Sequence, residues 1–215
     1  MRTSPLPAGR PLLWPMRPPE SARVSRTTHD GRLEITIEHA PLTGVTPQML
    51  TWWYGHIPGT MEYAGAVYPR YLVWHPLDHI SYELRTPGRD GGVSPGARLR
   101  IIEALGRDPG LVIDIQVRVQ ELTDERTVIA KRLAGTTLVR LENDFTAVPS
   151  GTRFVTRLQL GDSTLLGRLF LNRAAATRAF PPAKLQAWIK HHIEEVGNLE
   201  HFLPDLFDER ADQEP

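Results

Sequence analysis

Pro182-Ala183-Lys184-Leu185-Gln186-Ala187-Trp188-Ile189-Lys190-His191-His192-Ile193-Glu194-Glu195-Val196-Gly197-Asn198-Leu199-Glu200-His201-Phe202-Leu203-Pro204 is the stretch that decides the fold. Its Leu185, Trp188, Ile189, Ile193, Val196, Leu199 and Leu203 recur at helical spacing, which gathers them into one apolar stripe. Pro182 suits the first turn of such a helix and Pro204 marks its end. A stripe this long has to be buried, and the rest of the chain offers mainly strands to bury it.

Leu33, Ile35 and Ile37 alternate with Glu34, Thr36 and Glu38, the period of a half-buried strand. Leu99, Ile101, Glu103 and Leu105 share one face. In a longer strand Leu111, Ile113, Ile115, Val117 and Val119 oppose Asp114, Gln116, Arg118 and Gln120. Further strands are predicted over residues 80–84, 127–133, 137–142 and 152–160, with turn signals at Asp124-Glu125, Gly135 and Pro149-Ser150-Gly151. Connections this short predict an antiparallel meander. A short helix is predicted after Thr46, which can cap it, with Pro47 in its first position and Gly55 at its end. The sum is an α+β domain whose sheet curls around the long helix, with room between them for a small molecule.

This domain is assigned to residues 31–207. Residues 1–30 are rich in Pro, Arg and Ser and read as a flexible arm, or as a segment packing on a second subunit of a homodimer through Leu12, Leu13 and Trp14. Residues 208–215 read as a frayed acidic tail. Lys+Arg and Asp+Glu both total 25, so no bulk positive field invites nucleic acid or an anionic membrane. The absence of Cys removes disulfides, thiolate metal sites and Cys nucleophiles, so any metal must sit on His and carboxylate. Pro5, Pro7, Pro11, Pro15, Pro18 and Pro19 interrupt what would have to be the apolar run of a signal peptide, and no later window suits a membrane span. The expected location is cytoplasmic.

Three places carry chemistry. On the long helix, His191 and Glu195 stand four apart and can reach one ion; the bland alternative is a solvated pair on the helix flank. His192 lies nearer the centre of the stripe, as a core histidine or as the ligand in place of His191, whereas Glu194 points about 100° from Glu195 and nearly opposite the stripe. Glu103 shares a face with Leu99, Ile101 and Leu105, and an inward carboxylate needs a metal, an Arg or a proton. Tyr71-Leu72-Val73-Trp74-His75-Pro76-Leu77-Asp78-His79 crowds two histidines and a carboxylate around a proline, and reads as a loop leading into a strand.

Trp52-Trp53, Tyr71, Trp74-His75-Pro76-Leu77-Asp78-His79, Glu103, residues 191–200 and Phe202-Leu203-Pro204 together resemble the 2,4-diacetylphloroglucinol hydrolase family, relatives of the phloretin hydrolases, over about residues 45–207. The resemblance implies a helix-grip fold like that of START proteins and the birch-pollen allergen. It also implies Zn2+ held by His79, Glu103, His191 and Glu195, with His75 as the fallback for His79 and with Tyr71 near the substrate. The implied reaction is hydrolysis of a carbon–carbon bond in an acylated phenol or β-diketone, a retro-Claisen cleavage of a small aromatic or polyketide-like substrate. One departure stands out: residues 138–143 and 152–160 hold no His or Tyr to contact the phenol. The competing expectation is a small-molecule binding protein or polyketide cyclase-like enzyme with the same pocket and no metal chemistry.

Overall fold

The computed structural model describes residues 6–133, 135–165, 167, 168, 172 and 180–210. In chain order its elements are β1 (Arg23–His29), β2 (Arg32–Glu38), β3 (Leu42–Thr43), α1 (Pro47–His56), β4 (Thr60–Tyr63), β5 (Ala66–Pro69), α2 (Arg70–Trp74) and β6 (His79–Thr86). There follow β7 (Arg98–Ala104), β8 (Val112–Leu122), β9 (Arg126–Leu133), β10 (Thr136–Val148), β11 (Gly151–Leu160) and α3 (Pro182–Glu209). Among the described residues one antiparallel sheet runs β1-β2-β11-β10-β9-β8-β7-β6, with β3 also on β11, and β4 and β5 form a separate hairpin. Strands β6 to β11 are the expected meander, and β2 joins it by pairing with β11.

The alternation in sequence sets which face is buried. In β2, Leu33, Ile35 and Ile37 are buried and pack with Trp188, Ile189 and Ile193 of α3. Farther along α3, Val196, Leu199, Phe202 and Leu203 join Trp53, Trp74, Phe145 and Phe154 in a second core cluster. Thr46 caps α1 through its side chain, which accepts from Met49 N at 3.3 Å, a contact worth ~1 kcal/mol. Residues 191–199 of α3 are all buried. The sheet grips one side of the helix, and α1, α2 and the N-terminal segment cover the rest. This is a helix-grip α+β fold.

Three expectations need correction. Residues 6–30 are not a free arm: Arg10 N donates to Pro76 O at 2.8 Å, Tyr63 Oη donates to Pro11 O at 2.5 Å, and Arg17 pairs with Glu200. Trp14 stacks on His201 at 5.3 Å within its own chain, whereas Leu12 and Leu13 are exposed. The same region carries β1, joined to β2 by Asp30-Gly31 with φ of 50° and 71°, the left-handed pair that a two-residue hairpin turn requires. The long helix continues through Pro204 to Glu209, so the start of the expected frayed tail is helical; residues 211–215 lie outside the described ones. Residues 70–74 form a turn of helix, because Pro76 stops the helix only after His75.

Candidate metal centre

His79 opens β6 and Glu103 faces it from β7 as its register partner, so one rung of the sheet presents an imidazole beside a carboxylate. His191 and Glu195, one turn apart on α3, arrive from the opposite side. The four side chains named from the sequence therefore meet. His79 Nε2 lies 3.2 Å from Glu195 Oε2 and 3.9 Å from Glu103 Oε1. His191 Nε2 lies 3.7 Å from Glu103 Oε2 and 3.7 Å from Glu195 Oε2. Ligand atoms of His79, Glu103 and His191 all fall within 4.8 Å of one another.

The far nitrogen of each imidazole is already committed. His79 Nδ1 donates to Tyr71 O at 2.6 Å, and His191 Nδ1 donates to Asp78 Oδ2 at 3.0 Å. Those bonds turn each Nε2 into the cluster, and both Nε2 atoms are buried without a hydrogen-bond partner. An orphaned buried polar atom is costly unless something binds it. Backbone carbonyl or carboxylate on the far nitrogen, open Nε2 on the near one, is how metal-bound histidines are oriented. Two imidazoles and two carboxylates fit a divalent cation of the zinc type.

The carboxylates pull positive charge into the cluster, as a proton on His191 or as a cation in its place. Burial disfavours charge on His191, but Glu103, Asp78 and Glu195 outweigh it and push its pKa up to about 9. Glu195 is held well below the usual carboxylate range despite its burial, chiefly by His192, with His79 and His191 adding to it. The pocket thus draws positive charge toward its carboxylates. Tyr71 is the reverse case: burial, Glu103 and Glu195 push its phenol well above the ordinary tyrosine range, so it keeps its proton. Its Oη donates to Glu103 Oε1 at 2.8 Å and its ring stacks on His79 at 3.8 Å. The expected tyrosine is present as a proton donor and a brace for two of the cluster's residues.

A second His–carboxylate group lies behind the first. His75, Asp78 and His191 also offer ligand atoms within 4.8 Å of one another. Here, however, hydrogen bonds are closed. His75 Nδ1 accepts from Asp78 N at 3.1 Å, which leaves the proton on Nε2, 3.5 Å from Glu194 Oε2. Asp78 Oδ2 takes His191 Nδ1–H and Gly106 N–H. His75 therefore does not replace His79. Glu194, expected on the solvent side, is buried between His75 and Lys190, because the helix is covered all round.

His192 points elsewhere too. Its Nδ1 contacts Glu195 Oε1, its Nε2 lies 2.9 Å from Thr156 Oγ1, and its ring stacks on Trp188. Thr156 donates to Asn143 Oδ1 at 2.9 Å and lies 3.1 Å from His39 Nε2. Sequence reasoning did not assign Asp78, His39, Asn143 or Thr156. Asp78 had a signal in its place beside a candidate ligand, whereas Asn143 and Thr156 interrupt apolar strands in no pattern that marks them.

Between sheet and helix, against Glu103 and Glu195, lies a cavity of about 70 Å3 lined by Tyr54, Tyr71, Trp74 and Tyr82. Asn143 and His192 line it too. It is smaller than the ~300–1,000 Å3 of sites that enclose drug-sized ligands, so a ring-sized ligand must displace lining side chains.

Fold and cluster define a helix-grip domain with a buried His–carboxylate centre. No family model and no curated protein matches the chain. Among solved structures it is similar to a protein of unknown function from Staphylococcus aureus, at 14% identity and TM-score 0.45, over 77% of this chain and 94% of that one. A Rhodobacter sphaeroides protein gives 16% identity and TM-score 0.48 over 86% and 99% of the two chains. The di-domain ARO/CYC BexL from the BE-7585A biosynthetic pathway gives 13% and 0.49 over 80% and 51%. Similarity at this level carries no argument about activity. No described helix is long and apolar enough to cross a membrane.

Proposed function

We propose that this protein is a metal-dependent hydrolase that cleaves a carbon–carbon bond beside a carbonyl in a small acylated phenol or β-diketone, the activity implied by its resemblance to the diacetylphloroglucinol hydrolases. The observation that carries the reading is the pair of orphaned Nε2 atoms of His79 and His191, aimed at Glu103 and Glu195 beside an aromatic cavity. These four residues would hold the ion, zinc by the character of the donors. When bound, such an ion polarises carbonyl oxygen and lowers the pKa of water toward neutrality.

The chain's own groups supply the rest. Tyr71 holds its proton at neutral pH and is the group placed to donate it. In a retro-Claisen cleavage that proton goes to the acyl-bearing ring carbon while a ring hydroxyl becomes a ketone and returns its proton to Tyr71, and the bonding pair of the broken carbon–carbon bond is then taken up as an enolate. Water's oxygen ends on the acyl carbon, which leaves as a carboxylic acid, and water's other proton ends on the enolate. Tyr54 and Tyr82, also pushed up by burial, keep their hydroxyl protons and can donate to substrate oxygens. Trp74 fixes the helix turn that carries Glu195 by donating to Glu195 O at 2.7 Å.

A second reading is a cyclase-like enzyme or binding protein that uses the pocket without metal. The lining favours it to this extent: three tyrosines, Trp74 and Asn143 would orient a phenolic ligand unaided. Elemental analysis of protein purified without a His tag separates the two. The hydrolase reading expects about one zinc per chain and release of a carboxylic acid from an acylphloroglucinol. No stoichiometric metal, and no activity on adding zinc, leaves the second reading.

A further inference from the structure

A second concavity lies away from the metal centre. It is a groove of about 660 Å3 formed by the β6–β7 connection and strands β7, β8 and β9. Arg98 and Arg118 point outward there, since their neighbours Leu99, Val117 and Val119 are buried in the core. Arg89, Lys131 and Arg132 complete a ring of five exposed cations, and no Asp or Glu lines the groove.

Elsewhere on the sheet some arginines are balanced by carboxylates, whereas Arg23, Arg26, Arg32 and Arg153 are spread over other strands without an ion pair among the described residues. Arg100 binds Asp114, while Arg140 and Arg157 share Glu142. Among the described residues, none of the five groove cations has an ion pair. Arg98 and Arg118 are moreover register partners across β7 and β8, a like-charge opposition that costs stability. The whole chain is neutral, with 25 cationic and 25 anionic side chains, so this field is local and invisible in the composition.

We propose that this groove binds a small molecule carrying two adjacent phosphate groups, such as a nucleoside diphosphate. Guanidinium groups meet phosphate oxygens in paired, charge-assisted hydrogen bonds, and a diphosphate would bridge the opposed Arg98 and Arg118. The groove's volume falls within the ~300–1,000 Å3 typical of small-molecule sites, which favours a compact anion over the flat face of an acidic protein.

The test is titration calorimetry on the full chain, near physiological ionic strength, with ADP and pyrophosphate as probes and sulfate as the control for simple charge. ADP should bind at least about tenfold more tightly than sulfate, and the double variant Arg98→Gln, Arg118→Gln should weaken it about tenfold or more. That variant relieves a repulsion, so its thermal midpoint should hold or rise. His79→Ala, which disrupts the metal centre, should keep ADP binding. The proposal is overturned if ADP binds no better than sulfate, if the double variant binds normally, or if His79→Ala abolishes binding. Tighter binding of an acidic peptide or an oligonucleotide than of ADP also overturns it.

Discussion

Two His–carboxylate clusters meet at His191, and by composition they are nearly the same. On one side His79, Glu103 and Glu195 surround His191 Nε2; on the other Asp78 binds its Nδ1, with His75 beside it and Glu194 against His75. They differ in proton accounting. In the second cluster the ring nitrogens of His75 and His191 Nδ1 have hydrogen-bond partners, while in the first the Nε2 atoms of both histidines have none. A cluster with unpartnered ring nitrogens is a binding site, and a cluster without them is a brace.

The strongest way to break this distinction is to change one carboxylate from each side. Glu195→Gln should weaken metal binding by about 100-fold or more, because it removes a charged donor from the first cluster. Glu194→Gln should leave metal content unchanged and cost about 1 kcal/mol at most, since its partners are His75 and an exposed Lys190. Metal titration of the two variants decides; equal losses would mean that the two clusters act as one.

A smaller effect is expected where the clusters touch. Asp78→Asn preserves shape but weakens the hold on His191 Nδ1, so metal affinity should drop about 10- to 100-fold with the ligands themselves intact. Unchanged affinity would reduce Asp78 to a packing residue.

How much of this was legible depended on periodicity. The α3 stripe and the alternations in β2, β7 and β8 are regular enough to give the fold class and to bring Glu103 inward. His191 and Glu195 follow from helical spacing, while His79 rested on the resemblance and on the crowding around Pro76. The brace was not legible: whether Asp78 or Glu194 is buried depends on what covers the far side of α3. That cover comes from residues 6–22, whose prolines look like a flexible composition although hydrogen bonds and Trp14 fix them in place. The Asp30-Gly31 turn was readable as a hairpin signal and would have placed β1.

The brace should also show itself in pH. Burial, then His191, lower His75 to about 4 against the raising effect of Glu194, so the fold holds a neutral imidazole. The unfolded chain protonates near 6.5. Its contribution to stability is therefore full above about pH 6.5 and is lost as pH falls through about 4. Thermal midpoints should decline over that window, and His75→Gln should flatten the decline. Parallel curves for variant and native protein would show that other groups govern the acid limb.

The smallest effect tests the cover itself. Gly197 sits in the middle of α3, where glycine costs up to ~1 kcal/mol relative to alanine, so Gly197→Ala should stabilise an uncovered helix. Here a Cβ would overlap the aliphatic stem of Arg17, which crosses the helix to reach Ala40 O at 2.9 Å and Glu200. The gain in helix propensity is then set against displacement of Arg17, and overpacking at a close approach costs about 1–3 kcal/mol. Gly197→Ala should therefore lower stability by about 1 kcal/mol net, and Arg17→Ala combined with it should recover part of that loss, because the clash is gone. Denaturant unfolding of the two single variants and the double variant gives the coupling directly. A stabilised Gly197→Ala protein would mean that the N-terminal segment rests only loosely on α3, and that the burial of Asn198 and Glu194 must come from the sheet side alone.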